Sequence, residues 1–178
     1  MCIRDSSYYY PAAREALDAH ASVLTKENAA WLKGLPYNKR LEEHNVELCH
    51  GSPVRLEEFD YIFAPEQARE CLPMFDQLAQ LTLIGHSHLC KVFALSAGGV
   101  EELAAQDFRL EPDKKYIVSV GSVGQPRDYD NRASYVVFDS DNRELSFKRI
   151  EYDIEEAAHK VLAAKLFDNF ANRLYIGV

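Results

Sequence analysis

A short apolar run, Leu81–Ile84, is the feature of this sequence that most narrows its fold. The run is too short for a typical helix, and Gly85 ends it, so the pattern predicts a buried β-strand. Further strands are predicted where β-branched and aromatic residues recur. They lie near residues 37–50, where 46–50 alternate clearly, and near 91–95, 116–120, 134–139 and 144–152. The chain is therefore expected to contain a β-rich layer.

Helical patterns flank and interrupt this layer. Helices are predicted to begin near Pro11, Thr25, Pro65 and Asp153. The helix that begins at Pro65 is expected to continue to about residue 80, with a joint at Pro73. The predicted fold class is therefore mixed α and β, and no internal repeat divides the chain.

The charge balance argues against nucleic acid as a partner. The chain has 20 basic and 28 acidic residues, a formal net charge of −8, and no basic stripe of Lys or Arg. Proteins that bind nucleic-acid polymers neutralise phosphates with such stripes. No apolar stretch approaches the roughly 20 residues of a membrane span, and no signal segment opens the chain. We therefore expect a cytoplasmic protein with neither a membrane nor a nucleic-acid polymer as partner.

The cysteines predict free thiols. Cys2, Cys49, Cys71 and Cys90 are scattered and lack C-x-x-C spacing, so a disulfide framework is not expected. Cys49 and Cys90 are interpreted as small thiols that line the core.

The start of the chain has an unusual sequence. Residues 1–6 match the translation of a transposase end sequence used in preparing sequencing libraries. A scar of this kind does not belong to a fold. We therefore predict that residues 1–6 are a non-native artefact and that residues 7–178 are one truncated domain.

A pair of histidines follows the predicted strand at Leu81–Ile84. In Gly85-His86-Ser87-His88, an extended backbone would point both imidazoles the same way, so that both reach one metal cluster. Gly85 would allow a tight exit from the strand. Ordinary loop histidines fit the same spacing equally well.

A second histidine repeats this arrangement. His50 is the last residue of the predicted strand at 46–50 and precedes Gly51. Strand ends hold ligands rigidly beside loops, and neutral imidazole is a common ligand for transition metals. Taken alone, His50 would be interpreted as a structural histidine. Together with His86 and His88 downstream, it becomes a candidate metal ligand.

The motifs "CHGSP", "IGHSHLCKVF" and "VGSVGQPRDYDNRASYVVFD" occur in this order. In order and spacing they resemble motifs of the calcineurin-like metallophosphoesterase superfamily, and within it the bacterial phosphodiesterase-type branch. The resemblance extends from about Ala13 to Val178. It implies the C-terminal part of a four-layer αββα sandwich, with two mixed sheets packed together, helices outside, and the N-terminal part missing.

The resemblance also implies a chemistry. His50 and His86 would bind one divalent metal ion and His88 a second, with manganese as the first choice and iron, zinc, nickel and cobalt as alternatives. The reaction would be hydrolysis of a phosphodiester or phosphomonoester through a metal-activated water. The substrate would be a phosphorylated small molecule or a nucleotide. The alternative is a non-catalytic scaffold or interaction protein with the same fold.

The sequence also departs from the family pattern. The family's Asp-x-His, Gly-Asp-x-x-Asp and Gly-Asn-His-Asp/Glu segments precede the part that matches here. Asp18-Ala19-His20 has the first pattern, but it lies in a helical stretch with no strand before it and is interpreted as a coincidence. No complete catalytic set is therefore expected, and the chain by itself should be inactive.

A glycine-containing loop, 121–128, follows the predicted strand at 116–120. Arg127 in this loop is a candidate substrate-binding residue, because a guanidinium can hold a phosphate oxygen by paired hydrogen bonds. The competing interpretation is a structural turn in which Arg127 pairs with Asp128 or Asp130.

Overall fold

The computed structural model describes residues 10–178. The predicted artefact at residues 1–6, which includes Cys2, lies outside the described residues. The described chain divides into two compact units. One comprises residues 10–36 and 153–175, and the other comprises residues 37–152 and 176–178.

The first unit is helical. It contains α1 (Pro11–Val23), α2 (Lys26–Gly34), α4 (Ile154–Ala163) and α5 (Asp168–Ile176, whose last residue belongs to the second unit), whereas α3 (Pro65–Arg69) lies in the second unit. The predicted helix starts are confirmed: the Thr25 hydroxyl accepts a hydrogen bond from the Asn28 amide, and the Asp153 carboxylate accepts one from the Glu156 amide. Helix α5 was not predicted. Each helix within residues 10–178 is too short or too polar to cross a bilayer.

The second unit is built on β-strands. They are β1 (Asn38–Leu41), β2 (Val46–Cys49), β3 (Leu81–Ile84), β4 (Cys90–Ser96), β5 (Gly99–Leu103), β6 (Phe108–Arg109), β7 (Lys115–Val120), β8 (Ala133–Asp139) and β9 (Glu144–Ile150). Within residues 37–152 they form a six-stranded sheet in the order β1-β2-β3-β7-β4-β5 and a three-stranded sheet in the order β6-β9-β8. The larger sheet is mixed, with β2, β3 and β7 parallel. The smaller sheet is antiparallel throughout, not mixed as expected.

The alternation of side chains explains how the sheets pack. In β4, Val92 and Ala94 join a buried cluster that also contains Leu145 of the smaller sheet. Phe93 and Leu95 of the same strand join a second cluster on the opposite face, beneath α3. Successive residues of a strand face opposite sides, so one strand supplies both cores.

The prediction of one continuous helix over residues 65–80 is wrong. Helix α3 ends at Arg69, and a separate 3₁₀ helix covers Leu72–Gln77. Pro73 has no backbone N–H and disfavours the α-conformation of the residue before it. The chain therefore breaks before the proline instead of bending at it.

Candidate metal centre

The parallel pairing of β2 and β3 brings His50 next to His86. Val46 pairs with Leu81 and Leu48 with Leu83, so both strands end at the same edge of the sheet. The amides of Gly85 and His86 both donate to the His50 carbonyl, at 2.9 and 2.8 Å. The strand ends are thus joined by backbone hydrogen bonds, and the two imidazole rings lie side by side, with centroids 4.8 Å apart and planes tilted at 59°.

The ring nitrogens of this pair are close enough to share one proton or one cation. His50 Nε2 lies 3.0 Å from His86 Nδ1. Two nitrogens that each lie about 2.1 Å from one metal ion, at a right angle, are also about 3.0 Å apart. The distance between the two nitrogens is therefore compatible with their binding a single first-row metal ion.

His88 is held by the loop that contains Arg127. Its Nδ1 donates to the Gln125 carbonyl at 2.7 Å, because a carbonyl can only accept. The neutral ring then carries its lone pair on Nε2. A backbone carbonyl on the other ring nitrogen is the usual support of a metal-binding histidine.

The backbone around His88 differs from the extended form assumed for the His-x-His pair. His88 has a φ of 61°, in the left-handed region, and its amide donates to the Gly85 carbonyl at 2.9 Å. Residues 85–88 therefore form a turn, which the buried Ser87 hydroxyl anchors to the Ser119 hydroxyl at 2.9 Å. Non-glycine residues in this conformation are uncommon and cluster at functional sites.

The electrostatic surroundings favour neutral imidazoles. Burial, together with smaller contributions from the nearby His50, His88 and Arg127, lowers the pKa of His86 to about 4. Desolvation also lowers the pKa of His50, with a further contribution from His88. His88 and Arg127 thus lie within electrostatic reach of the pair. At neutral pH both rings of the pair keep the lone pairs that a metal requires.

The two glycines beside the histidines have different roles. A Cβ on Gly51 would lie 2.8 Å from the Phe59 carbonyl carbon and 2.9 Å from the Asp60 oxygen. At Gly85 the nearest atom would be His50 Nδ1, at 3.9 Å. The close approach therefore occurs at Gly51, whereas a Cβ at Gly85 would make only an ordinary van der Waals contact.

Arg127 has one buried hydrogen-bond donor that lacks an acceptor among the described residues. Its Nη2 donates to Gln125 Oε1 at 3.0 Å, and its amide donates to the His88 carbonyl at 3.2 Å. Its Nε is buried and makes no hydrogen bond among the described residues. Buried donors are seldom left unpaired, so an acceptor at this position would be favourable.

The acidic neighbours of Arg127 in sequence are bound by other arginines. Asp128 pairs with Arg149, and Asp130 pairs with Arg132 at 2.6 Å. These contacts differ from the competing interpretation, in which Arg127 itself pairs with Asp128 or Asp130. The carboxylates are already occupied.

No group of three or more His, Cys, Asp or Glu side chains in residues 10–178 is arranged to hold a metal ion. Asp18 lies on α1, where it forms an ion pair with Arg14 at 3.9 Å. Burial raises the pKa of Cys49 to about 12 and that of Cys90 as well, so neither thiol supplies a thiolate at neutral pH. The described residues by themselves therefore do not form a complete metal site.

Aromatic residues beside the histidines were missed at the sequence level. The Tyr61 ring stacks on His86, with centroids 4.0 Å apart and planes at 21°. The Phe59 ring meets His50 edge-on at 5.6 Å. The alternation Phe59, Tyr61, Phe63 in the sequence was the signal that could have revealed an aromatic face.

Comparisons with known proteins bear on the fold of the chain. No family model matches the chain. It is 34% identical over 157 residues to an uncharacterized protein of Methanocaldococcus jannaschii, covering 87% of this chain and 62% of that protein. It resembles the crystal structure of a metallophosphoesterase from Sphaerobacter thermophilus, with a TM-score of 0.80 and 29% identity over 96% of this chain and 69% of that one. A hypothetical protein from Pyrococcus horikoshii matches with a TM-score of 0.71 and 18% identity over 96% and 62% of the two chains.

These similarities establish the fold. The mixed α/β architecture, with its multi-stranded sheet and its helices, matches that of a metallophosphoesterase, as the sequence predicts. They also support the predicted superfamily. The chain spans 62% of the length of the curated relative that it matches.

Proposed function

We propose that this chain is part of a metal-dependent phosphoesterase that hydrolyses a phosphodiester or phosphomonoester. The observation that carries the proposal is the 3.0 Å separation of His50 Nε2 and His86 Nδ1 at two adjacent strand ends. The similarity to a solved metallophosphoesterase over 96% of the chain supports it independently.

In this proposal the histidines hold two divalent metal ions. His50 and His86 contribute to one and His88 to the other, with manganese as the first choice among first-row metals. Bound ions of this kind lower the pKa of a water molecule and neutralise phosphoryl oxygens. The chain's own contribution is to keep its imidazoles neutral and oriented, through burial of His86 and the bond of His88 to Gln125.

The proposal includes further ligands outside this chain's sequence. Neutral imidazoles do not offset the repulsion between two dications, whereas a bridging carboxylate does. The relative's greater length, of which the chain spans 62%, leaves room for such ligands. By itself the chain is then a phosphoesterase fragment without activity.

Arg127 is proposed to bind a phosphate oxygen. Its unpaired Nε and its position near His86 support this role. The proposed substrate is a phosphorylated small molecule or nucleotide. The described cysteines are free, which accords with a cytoplasmic location as part of the same proposal.

Paired substitutions of two histidines test the proposal. In the longer protein encoded by the complete reading frame, His88→Ala should lower manganese-dependent hydrolysis of bis(4-nitrophenyl) phosphate by at least about 100-fold, because a lost ligand weakens both metal binding and water activation. His44→Ala is the matched control. His44 is exposed, and its ring lies 3.8 Å from the Glu43 carboxylate.

Equal activities of the two variants would contradict the assignment of His88. Hydrolysis by the 178-residue chain alone, at a rate near that of the longer protein, would contradict the need for further ligands. If the longer protein binds manganese and hydrolyses no phosphate ester, the scaffold alternative is correct.

A further inference from the structure

The segment between β2 and α3 holds two aromatic rings out of the core. Ile62 is 1% exposed and belongs to the cluster beneath α3, whereas Tyr61 and Phe63 on either side of it are 45% and 46% exposed. Neighbouring residues of an extended segment face opposite sides, so burial of Ile62 directs both rings outward. The hydrophobic effect alone would favour burial of these rings.

This segment is anchored beside His50. The Ser52 amide donates to the Asp60 carbonyl at 2.9 Å, and the Gly51 backbone lies against Phe59 and Asp60 without room for a Cβ. Arg55 pairs with the Asp60 carboxylate at 2.6 Å. The outward rings are therefore presented on a fixed support.

The two rings continue directly from the candidate metal centre. Tyr61 stacks on His86 at 4.0 Å, and Phe63 lies 6.4 Å from Tyr61 at an interplanar angle of 56°. On the other side, Phe59 contacts the His50 ring, and Tyr37 lies 5.7 Å from Phe59. An aromatic face thus borders the same histidines that lie within reach of Arg127.

We infer that Tyr61 and Phe63 form a stacking subsite for a flat aromatic group of the substrate, so that the preferred ester carries an aryl or nucleobase group. The inference rests on the proposed function, since Arg127 and the histidines would hold the phosphoryl group at the adjoining position. A ring beyond the phosphate would then lie against Tyr61. Stacking of this kind accepts any planar ring and does not require hydrogen-bonding groups on it.

Two non-hydrolysable probes isolate the contribution of the ring. Phenylphosphonate and methylphosphonate share the phosphonate group, and ligand-observed NMR titration of the chain gives a dissociation constant for each. We expect phenylphosphonate to bind about tenfold more tightly, in the range of measured base–aromatic stacking. Tyr61→Leu should reduce this ratio to about twofold or less, and Tyr61→Phe should preserve it, because the ring is retained.

Tyr135→Leu is the matched control. Tyr135 lies on β8 and is 41% exposed, so its loss removes a similar exposed ring from a different strand and should leave the ratio unchanged. Circular dichroism of each variant checks the fold. A ratio that is unaffected by Tyr61→Leu, or no measurable binding of either probe, would overturn the inference.

The outcomes for the subsite and for the proposed function are separable. If the ratio of the two dissociation constants depends on Tyr61 but the protein hydrolyses no phosphate ester, the subsite is supported and the proposed function is contradicted. If the protein hydrolyses a phosphate ester but binds phenylphosphonate no more tightly than methylphosphonate, the proposed function is supported and the subsite is contradicted.

Discussion

Arg149 and Arg127 show two different uses of the same side chain. Arg149 donates to Asp128, to the carbonyls of Asp130 and Arg132, and to the Cys90 sulfur. Arg127 donates from its guanidinium to Gln125, and its buried Nε has no acceptor among the described residues. A guanidinium whose two terminal nitrogens both donate to protein acceptors stabilises the fold, whereas one with a buried donor that lacks an acceptor is suited to bind an anion.

The largest expected effect comes from the substitution that removes the paired arginine. Arg149→Met should lower the free energy of unfolding by about 3 kcal/mol, because it leaves the largely buried Asp128 carboxylate without its counterion. Arg127→Met should change it by less than about 1 kcal/mol and instead weaken methylphosphonate binding about tenfold. Urea denaturation and the NMR titration measure the two quantities.

Lys148→Met is the control for the first substitution. Lys148 lies next to Arg149 on β9, and its exposed ammonium is 3.8 Å from Asp107, so its loss should cost less than about 0.5 kcal/mol. If Arg127→Met proves as destabilising as Arg149→Met, the two arginines do not differ in the way described.

The same contrast between a filled and an open position separates Gly51 from Gly85. Gly51→Ala would place a methyl group against the backbone of Phe59 and Asp60 and should cost about 2 kcal/mol. Gly85→Ala meets only His50, at van der Waals distance, and should change stability by less than about 1 kcal/mol. Thermal denaturation of both variants measures the two changes in stability. A smaller loss for Gly51→Ala than for Gly85→Ala would mean that the segment 51–60 moves aside and would contradict the prediction.

The smallest expected effect is the response of the arginine-bound carboxylates to acid. Hydrogen bonding to Arg132 lowers the pKa of Asp130 to about 2, and Arg149 lowers the pKa of Asp128 against the opposing effect of burial. A carboxyl group with a depressed pKa stabilises the fold above its unfolded value of about 3.9, and this contribution is lost as pH falls toward about 2. After a discount for solvent screening, Asp130 should contribute roughly 1 kcal/mol.

Urea denaturation at about pH 5 and about pH 2.5 measures this contribution. Asp130→Asn is the control, because it removes the titrating group while keeping a side chain of similar shape. The variant should lose less stability than the parent over this interval. An equal loss in both proteins would mean that Asp130 does not contribute.

Local chemistry accounts for the parts of the fold that were predicted correctly. Thr25 and Asp153 mark helix starts because their side chains cap the first turn within three residues of sequence. The apolar run at Leu81–Ile84 forms the predicted strand because burial on both faces suits such a run. Strands β5 and β6 were missed, since β5 has exposed glutamates and β6 is only two residues long.

The candidate site was predicted only in part. The sequence identified His50, His86 and His88 because each follows a strand end, and the resemblance to metallophosphoesterases gave them a chemistry. It did not identify Tyr61, whose stacking on His86 joins residues that are distant in the chain. The ligand roles of the histidines and the substrate contact of Arg127 stay predictions.

The sequence by itself determined what depends on near neighbours: the period of each strand, the helix caps, and the placement of histidines directly after apolar strands. Only the tertiary structure decided which distant groups meet. The parallel register of β2 and β3 brought His50 to His86, and Arg149, not Arg127, reached Asp128. Local patterns reflect backbone sterics and burial, which act over a few residues, whereas pairing between charges and rings depends on strand order, and many strand orders satisfy the same local pattern.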